Sequence, residues 1–477
     1  MAGELIVVLD VGKTLAKLSL WNRAGEMLGR ARRPNQRVVA DGHVALDAGG
    51  VEAWLADTLS DFAGRGRIGT IVPVAHGAAA AIVRNGELAC APLDYEEAIP
   101  PARRAAYEAG RDAFALTGSP SLPDGLNLGA QLDYLEALHP GLLGEGALIL
   151  PWPQYWAWRL TGVAASEVTS LGCHSDLWRP LENGPSELAR ARGWAERLGP
   201  LAPAGQALDT ITGAWARRTG LAPDVEVLCG LHDSNAALLA ARGFPEIAGR
   251  EATVLSTGTW FVAMRTPGGD DDGDGGFDLG RLAESRDCLV NVDACGKPIP
   301  SARFMGGREI EILSGVDARR VDIGPDQPAL VAAAADVVAR GARVLPTFAP
   351  GFGPFPRHTG RWIAKPDEPL SRGAAACLYA ALVADVSLEL IGAEQRILVE
   401  GRFAEAEVFV RALASLRPRD EVYVSNAHND VSYGALRLVE PALPPLGALV
   451  RAEPFDAALD AYRGRWSEDV ARAGEAV

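Results

Sequence analysis

One carboxylate stands out, in the stretch Val227-Leu-Cys-Gly-Leu-His-Asp-Ser-Asn-Ala-Ala-Leu-Leu-Ala241. A short apolar strand ends at Cys229, Gly230 turns it, and Asp233 opens an alanine-rich helix. A carboxylate placed there can take the proton of a substrate hydroxyl, the role of the base in phosphoryl transfer. The competing reading is that Asp233 is a plain helix cap, beside Ser234 and Asn235, which can hydrogen-bond the free backbone amides. For this segment alone that reading is the commoner one, so the rest of the chain has to decide.

A second chemical feature lies near the N-terminus. Glu4–Asp10 is a near-continuous apolar run, as expected of a strand buried on both faces, and it ends in Asp10-Val-Gly-Lys-Thr14. Ala16–Trp21 reads as a second, half-covered strand, and Asn22–Gly25 turns it into a third. A hairpin tip of Gly12, Lys13 and Thr14 presents backbone N–H groups to an anion, with Asp10 placed to hold a hydrated magnesium ion. The Gly-Lys-Thr triplet is not a P-loop. That motif needs glycine at position 7, where this chain has Val7, and it leads into a helix rather than a strand. Glu251–Met264 repeats the design, with Ser256-Thr257-Gly258-Thr259 at its tip. An ordinary glycine hairpin explains either tip alone, but two such tips half a chain apart suit a polyphosphate better.

Taken in order, these segments resemble the FGGY carbohydrate kinases of the actin-like ATPase fold. Asp10–Thr14 and Ser256–Thr259 are similar to the family's two phosphate loops, and Gly230-Leu-His-Asp233 to the segment holding its catalytic aspartate. Ala75-His76-Gly77 and Arg159-Leu-Thr-Gly162 resemble a sugar-contact loop and a recurrent tight turn. Ile397-Leu-Val-Glu-Gly401-Arg402 resembles the strand that ends beside the adenosine. The wording is nearest to the fuculose and rhamnulose kinases. Three departures stand out: Lys13 where the first loop usually has a hydroxyl, a single Gly401 between Glu400 and Arg402, and Pro92-Leu-Asp-Tyr-Glu96 in place of the usual acidic, aromatic sugar stretch.

The resemblance implies two actin-like (ribonuclease H-like) α/β domains closing over a cleft, at 1–242 and 243–477. It implies ATP and Mg2+ as cofactors and a ketose, deoxyketose or polyol as acceptor. Asp233 would be the base and Asp10 the metal ligand. Gly12, Lys13, Thr14, Ser256, Gly258 and Thr259 would hold phosphates, and Gly401 the nucleoside. His76, Gly77, Asp94, Glu96 and His232 would face the sugar. His232 is equally readable as a satisfied structural histidine, and Lys13 as a solvated turn lysine. Arg303 falls near a family ligand position, although a surface or helix-capping role fits it better. A binding protein of the same fold without turnover, or another actin-fold ATPase, remains the alternative.

Composition is consistent with this. At 477 residues the chain is too long for one core. A net charge of −15 argues against nucleic acid or an anionic membrane as partner. A small-molecule sugar is the expected partner, with a homodimer left open. The six cysteines include no C-x-x-C pair, no uncharged apolar run nears the length of a membrane span, and the first strand begins almost at once. A cytoplasmic protein is the expectation.

Strands are expected at 4–10, 16–21, 69–75 and 79–84, around a helix at 50–64. Helix is expected over 125–162, where Leu128, Leu132, Leu135 and Leu138 share a face. Trp152, Trp156 and Trp158 read as core rather than as a sugar platform. In the second half, helices are expected at 301–314, 328–340, 371–392, 404–416 and 432–440, and strands near 252–264, 396–399 and 421–424. Asp270, Asp272, Asp274 and Gly275 follow calcium-loop order, but the closing position is Arg281, so a solvated loop is the better reading.

Overall fold

Every residue of the strand Leu5–Val11 is buried, and its two faces feed different cores. Leu5, Val7, Leu9 and Val11 pack with the helix Ala48–Ala63, whereas Ile6 and Val8 pack with Leu228, Leu231, Ala236 and Tyr433. Period-two alternation of an all-apolar strand produces this sharing, and each fully buried aliphatic side chain contributes about 1.5–3 kcal/mol. The computed structural model describes residues 4–268, 278–315, 327–427, 430–455 and 459–474. Most of the aspartate-rich loop, from 269 to 277, and His428 lie outside the described residues.

The chain forms two compact units. The first is 1–243 together with 290–298 and 429–445; the second is 244–289, 299–428 and 446–477. In the first, Leu5–Val11 lies between the antiparallel strand Leu15–Trp21 and the parallel strand Ile68–Ala75. Met27–Pro34 continues the meander on one side, and Glu226–Leu228 runs parallel to Ile68–Ala75 on the other. The second unit repeats the order: Pro298–Phe304, Phe261–Thr266 and Ala252–Thr257 are antiparallel neighbours, followed by the parallel strands Arg396–Gly401 and Glu421–Ser425.

The strands expected at 4–10, 16–21, 69–75 and 79–84 form, with the last at Ala80–Arg84. The helical expectation for 125–162 fails in the middle. Leu128–Leu138 and Trp152–Thr161 are helices, but Leu148–Pro151 between them is a strand paired with Ala80–Arg84. The first helix ends at its C-cap His139, before Pro140, and the apolar run after Gly144 and Gly146 finds a strand partner. Residues 301–314 also divide, into the end of the strand Pro298–Phe304 and the helix Gly306–Ser314. Trp152 and Trp156 are core, with Trp152 stacked on Tyr155 at 5.0 Å. One described helix, Pro369–Leu390, is long and apolar enough to cross a membrane by composition, yet 72% of its apolar window is buried inside the protein.

The helix Val431–Val439 packs against Asp233–Ala241 within the first unit, at a glycine. A Cβ on Gly434 would lie 1.7 Å from the carbonyl oxygen of Ala236, a backbone atom that cannot rotate away. Gly434→Ala should therefore force the helices apart and destabilise the protein by about 1–3 kcal/mol or more. A urea midpoint unchanged from wild type would contradict this contact.

Candidate active site

Three strands that run parallel end side by side in the first unit. Asp10 sits opposite Val74 and Val11 opposite Ala75, while Leu231 and His232 pair with Val74 and Ala75. Asp10, His76, His232 and Asp233 are thereby gathered at the carboxyl ends of parallel strands, where open α/β sheets place their ligands. Gly230, at φ +77°, makes the last alignment: a Cβ there would lie 2.0 Å from the carbonyl of Pro73. Gln154 clamps the turn, its Nε2 donating to the carbonyls of Cys229 (3.2 Å) and Gly230 (3.1 Å).

Asp233 is the first residue of the helix, and no side chain caps that helix from the N-cap His232. Ser234 and Asn235 do not act as the sequence suggests. The Ser234 hydroxyl donates to Asp233 Oδ1 at 3.3 Å, and Asn235 Nδ2 faces His232 Nδ1 at 3.5 Å. The Asp233 side chain is 28% exposed, and its Oδ1 lies 3.2 Å from His232 Nε2. Burial would raise its carboxyl, but the His232 hydrogen bond and charge outweigh this and hold it below the usual range. It is ionised and reachable, as a general base must be.

The remaining first-unit residues surround it. Asp10 is buried, and Lys17, opposite it across the hairpin, donates to its Oδ2 at 2.7 Å. Burial still pushes the Asp10 carboxyl up to about 6, with Lys17 opposing and the Asp233 charge adding to the rise. Gly12 uses its N–H on Leu15 O, closing its own hairpin rather than offering that donor to a ligand. Thr14 is exposed. Lys13 points neither at open solvent nor at a vacant anion site. Its ammonium pairs with the fully buried Asp94, lies 3.9 Å from Glu96 and sits 4.3 Å over the Tyr95 ring. Arg37 approaches the same two carboxylates at 3.4 and 3.3 Å.

His76 is buried and neutral, its pKa brought down to about 4 by desolvation. Neither ring nitrogen has a hydrogen-bond partner among the described residues, and its ring meets Tyr95 edge-on at 5.9 Å. Gly77 is close-packed: a Cβ there would fall 2.4 Å from Cys173 Sγ and 3.0 Å from the His232 ring.

In the second unit, Thr257 pairs with Gly401, so the tip Ser256–Thr259 and the end of Arg396–Gly401 share one sheet edge. Ser256, Thr259 and Gly401 are exposed, and the Gly258 N–H closes the turn on Trp260 O at 2.9 Å. Gly401, at φ +86°, has structural work of its own, since a Cβ would meet Thr257 O at 2.2 Å. Arg303 is neither a surface nor a capping residue. It is buried on a strand, 2.8 Å from Asp287 Oδ1, with its guanidinium 5.1 Å over Trp260.

Sequence patterns missed Lys17, Gln154, Glu167, Cys173 and Asn235. Glu167 caps the helix Val168–Leu171 and accepts from Thr169 N and Oγ1; that hydroxyl in turn accepts from the His232 N–H at 3.0 Å. Burial pushes the Glu167 carboxyl up to about 7, from 4.5. A group raised in the folded state contributes stability that is complete below pH 4.5 and lost as pH rises through 7. Glu167→Gln keeps the acceptor without the charge, so it should gain on wild type by up to about 3 kcal/mol as pH rises across that window. Denaturation at both ends of the window checks this; an unchanged difference between the two proteins would refute it.

Residues 249–445 match the family model described as carbohydrate kinase FGGY, C-terminal domain. An L-fuculokinase of Escherichia coli K12 is 27% identical over 288 residues, covering 55% of this chain and 57% of the relative, so the match spans little more than half of that protein. The crystal structure of a carbohydrate kinase from Novosphingobium aromaticivorans is 59% identical, with a TM-score of 0.92 over 97% of this chain and 100% of that one. The xylulose kinase of Rhodospirillum rubrum, at 18% identity and a TM-score of 0.77 over 98% of both chains, shares the fold. The chain thus belongs to the FGGY carbohydrate kinase family, and its two repeated sheets are that family's pair of actin-like domains.

Proposed function

We propose that the protein is an ATP-dependent sugar kinase that moves the γ-phosphate to a hydroxyl of a ketose, deoxyketose or polyol. The observation that carries this reading is Asp233, ionised and partly exposed at the strand ends, with His232 holding one oxygen. The second oxygen is then available to orient the attacking hydroxyl and take its proton. His76, Gly77, Asp94, Glu96 and His232 make the sugar side. The unpartnered nitrogens of His76 are suited to sugar hydroxyls. The L-fuculokinase similarity puts deoxyketoses first among acceptors.

Thr14 is assigned to phosphate in the first unit, and Ser256 and Thr259 in the second. Gly12 and Gly258, whose own N–H groups close the tips, leave room there for close approach, and Gly401 lies beside the nucleoside. Asp10 fits a magnesium ion of the kind that keeps most of its waters: one buried carboxylate, pushed toward protonation by burial and by Asp233, gains from a second cation. Bound there, the ion would offset charge on the transferring phosphoryl group. A cytoplasmic location is the reading that an ATP donor supports. The alternative, a binding protein without turnover, draws on Lys17 already occupying Asp10.

An ADP-release screen over deoxyketoses, ketoses, aldoses and polyols separates the two, since a binding protein releases none. With the best acceptor, Asp233→Asn should lower kcat by about 10²–10⁴ while sugar and nucleotide affinity stay near wild type. Near-normal turnover would remove Asp233 from the mechanism. Lys13→Ala should raise KM for the sugar much more than KM for ATP, because the side chain's partner is Asp94. The reverse split would return Lys13 to the phosphates.

A further inference from the structure

The kinase reading leaves one group at its centre without a role. Cys173 is buried, and its Sγ lies 3.7 Å from His232 Nε2, the same nitrogen that is 3.2 Å from Asp233 Oδ1. One imidazole N–H thus faces two acceptors, a sulfur on one side and the proposed base on the other. The contact is built in. Gly77 leaves only enough room for the sulfur and the ring, and Thr169 fixes the His232 backbone.

We propose that Cys173 is a positioning residue for phosphoryl transfer: as a thiolate it shares the Nε2 proton of His232 with Asp233, and so keeps an imidazolium against the base. The inference rests on the kinase reading. The proton balance is internal, with the Sγ–H proton passing to Nε2. Nδ1 keeps its own hydrogen, and a half-turn of the Asn235 amide would bring its unpartnered Oδ1 to that N–H.

The surrounding charges favour this state. Burial opposes ionisation of Cys173, yet His174 and His232 bring its thiol down to about 5. Burial likewise opposes protonation of His232, yet Cys173 and Asp233 hold it well above its ordinary value. The other groups near His232 are His76, neutral by burial, and Glu167 behind Thr169, while Asp10 acts on Asp233 from the first strand. The buried cysteines elsewhere shift the other way: Cys90 rises to about 12 and Cys288 to about 11. A thiolate that forms below neutrality is therefore Cys173.

Two measurements on the full-length enzyme test the idea. Ultraviolet titration of the wild type should show one thiolate forming below pH 7, absent in Cys173→Ala and moved upward in His232→Asn. No such step in the wild type overturns the pair without reference to activity. The pH profile of kcat/KM then tests its use. Without the thiolate, His232 is no longer held so far above its ordinary value, so the imidazolium beside Asp233 is lost at lower pH and the alkaline limb should move down in Cys173→Ala. Cys173→Ser keeps an oxygen acceptor but no anion, and should move the limb in the same direction with the site's packing preserved. An alkaline limb unchanged in both variants overturns the positioning role. A thiolate step in a wild type that phosphorylates no sugar sinks the kinase reading and the catalytic use of the pair, while the pair itself stands.

Discussion

The site depends on the turn at Gly230. Strand pairing with Ile68–Ala75 stops after Val227 and resumes at Leu231, and the backbone between them passes so close to Pro73 that no Cβ fits. This offset sets His232 opposite Ala75 and starts the helix at Asp233. Gln154, reaching in from a helix of buried aromatics, takes up the two carbonyls that the broken pairing leaves behind. A buried carbonyl without a donor would cost about 1–3 kcal/mol, so one side chain stabilises the turn and fixes where Asp233 stands.

Charge around the turn is arranged in pairs. Lys17 faces Asp10, Lys13 faces Asp94, and His232 stands between Asp233 and Cys173. Burial at this depth works against charge: it raises Glu167, whose hydrogen bonds come from Thr169 and Ser170 rather than from a cation, and it raises Asp10 even against Lys17. Asp233 combines a lowered pKa with partial exposure, which separates it from the buried Asp10 and Glu167. Proximity to the strand ends would not by itself have distinguished Asp233 from Asp10.

Much of the scaffold was legible because it rests on local pattern. Continuous burial of Leu5–Val11, the two hairpin tips and the helix opening at Asp233 all follow from side-chain periodicity and glycine placement. The repeat of the sheet was legible only through the family resemblance, because strand order requires only apolar alternation and leaves no shared sequence. The same limit explains the misread stretch at 125–162, where leucine spacing is right for the first helix but cannot announce that Leu148–Pro151 has a strand to pair with. Gln154 and Cys173 act on partners 75 and 59 residues away, and Glu167 acts through Thr169, whose own partner His232 is 63 residues on, so no window of sequence contains these contacts. Arg303 was misplaced for a related reason, since only the fold supplies Asp287 and Trp260 to bury it.

Two of the sequence departures turn out to be one. Lys13 replaces a hydroxyl residue at the tip of the first hairpin, and Pro92–Glu96 is the altered acidic stretch; 81 residues apart in sequence, they meet as an ammonium on a buried carboxylate with Tyr95 beneath. A lysine at that tip without Asp94 would leave a cation beside a neutral His76, and Asp94 without Lys13 would depend on the half-exposed Arg37 alone. Each substitution is costly singly and compensated together. The altered first tip thus commits its ammonium to Asp94 rather than leaving it free for an anion.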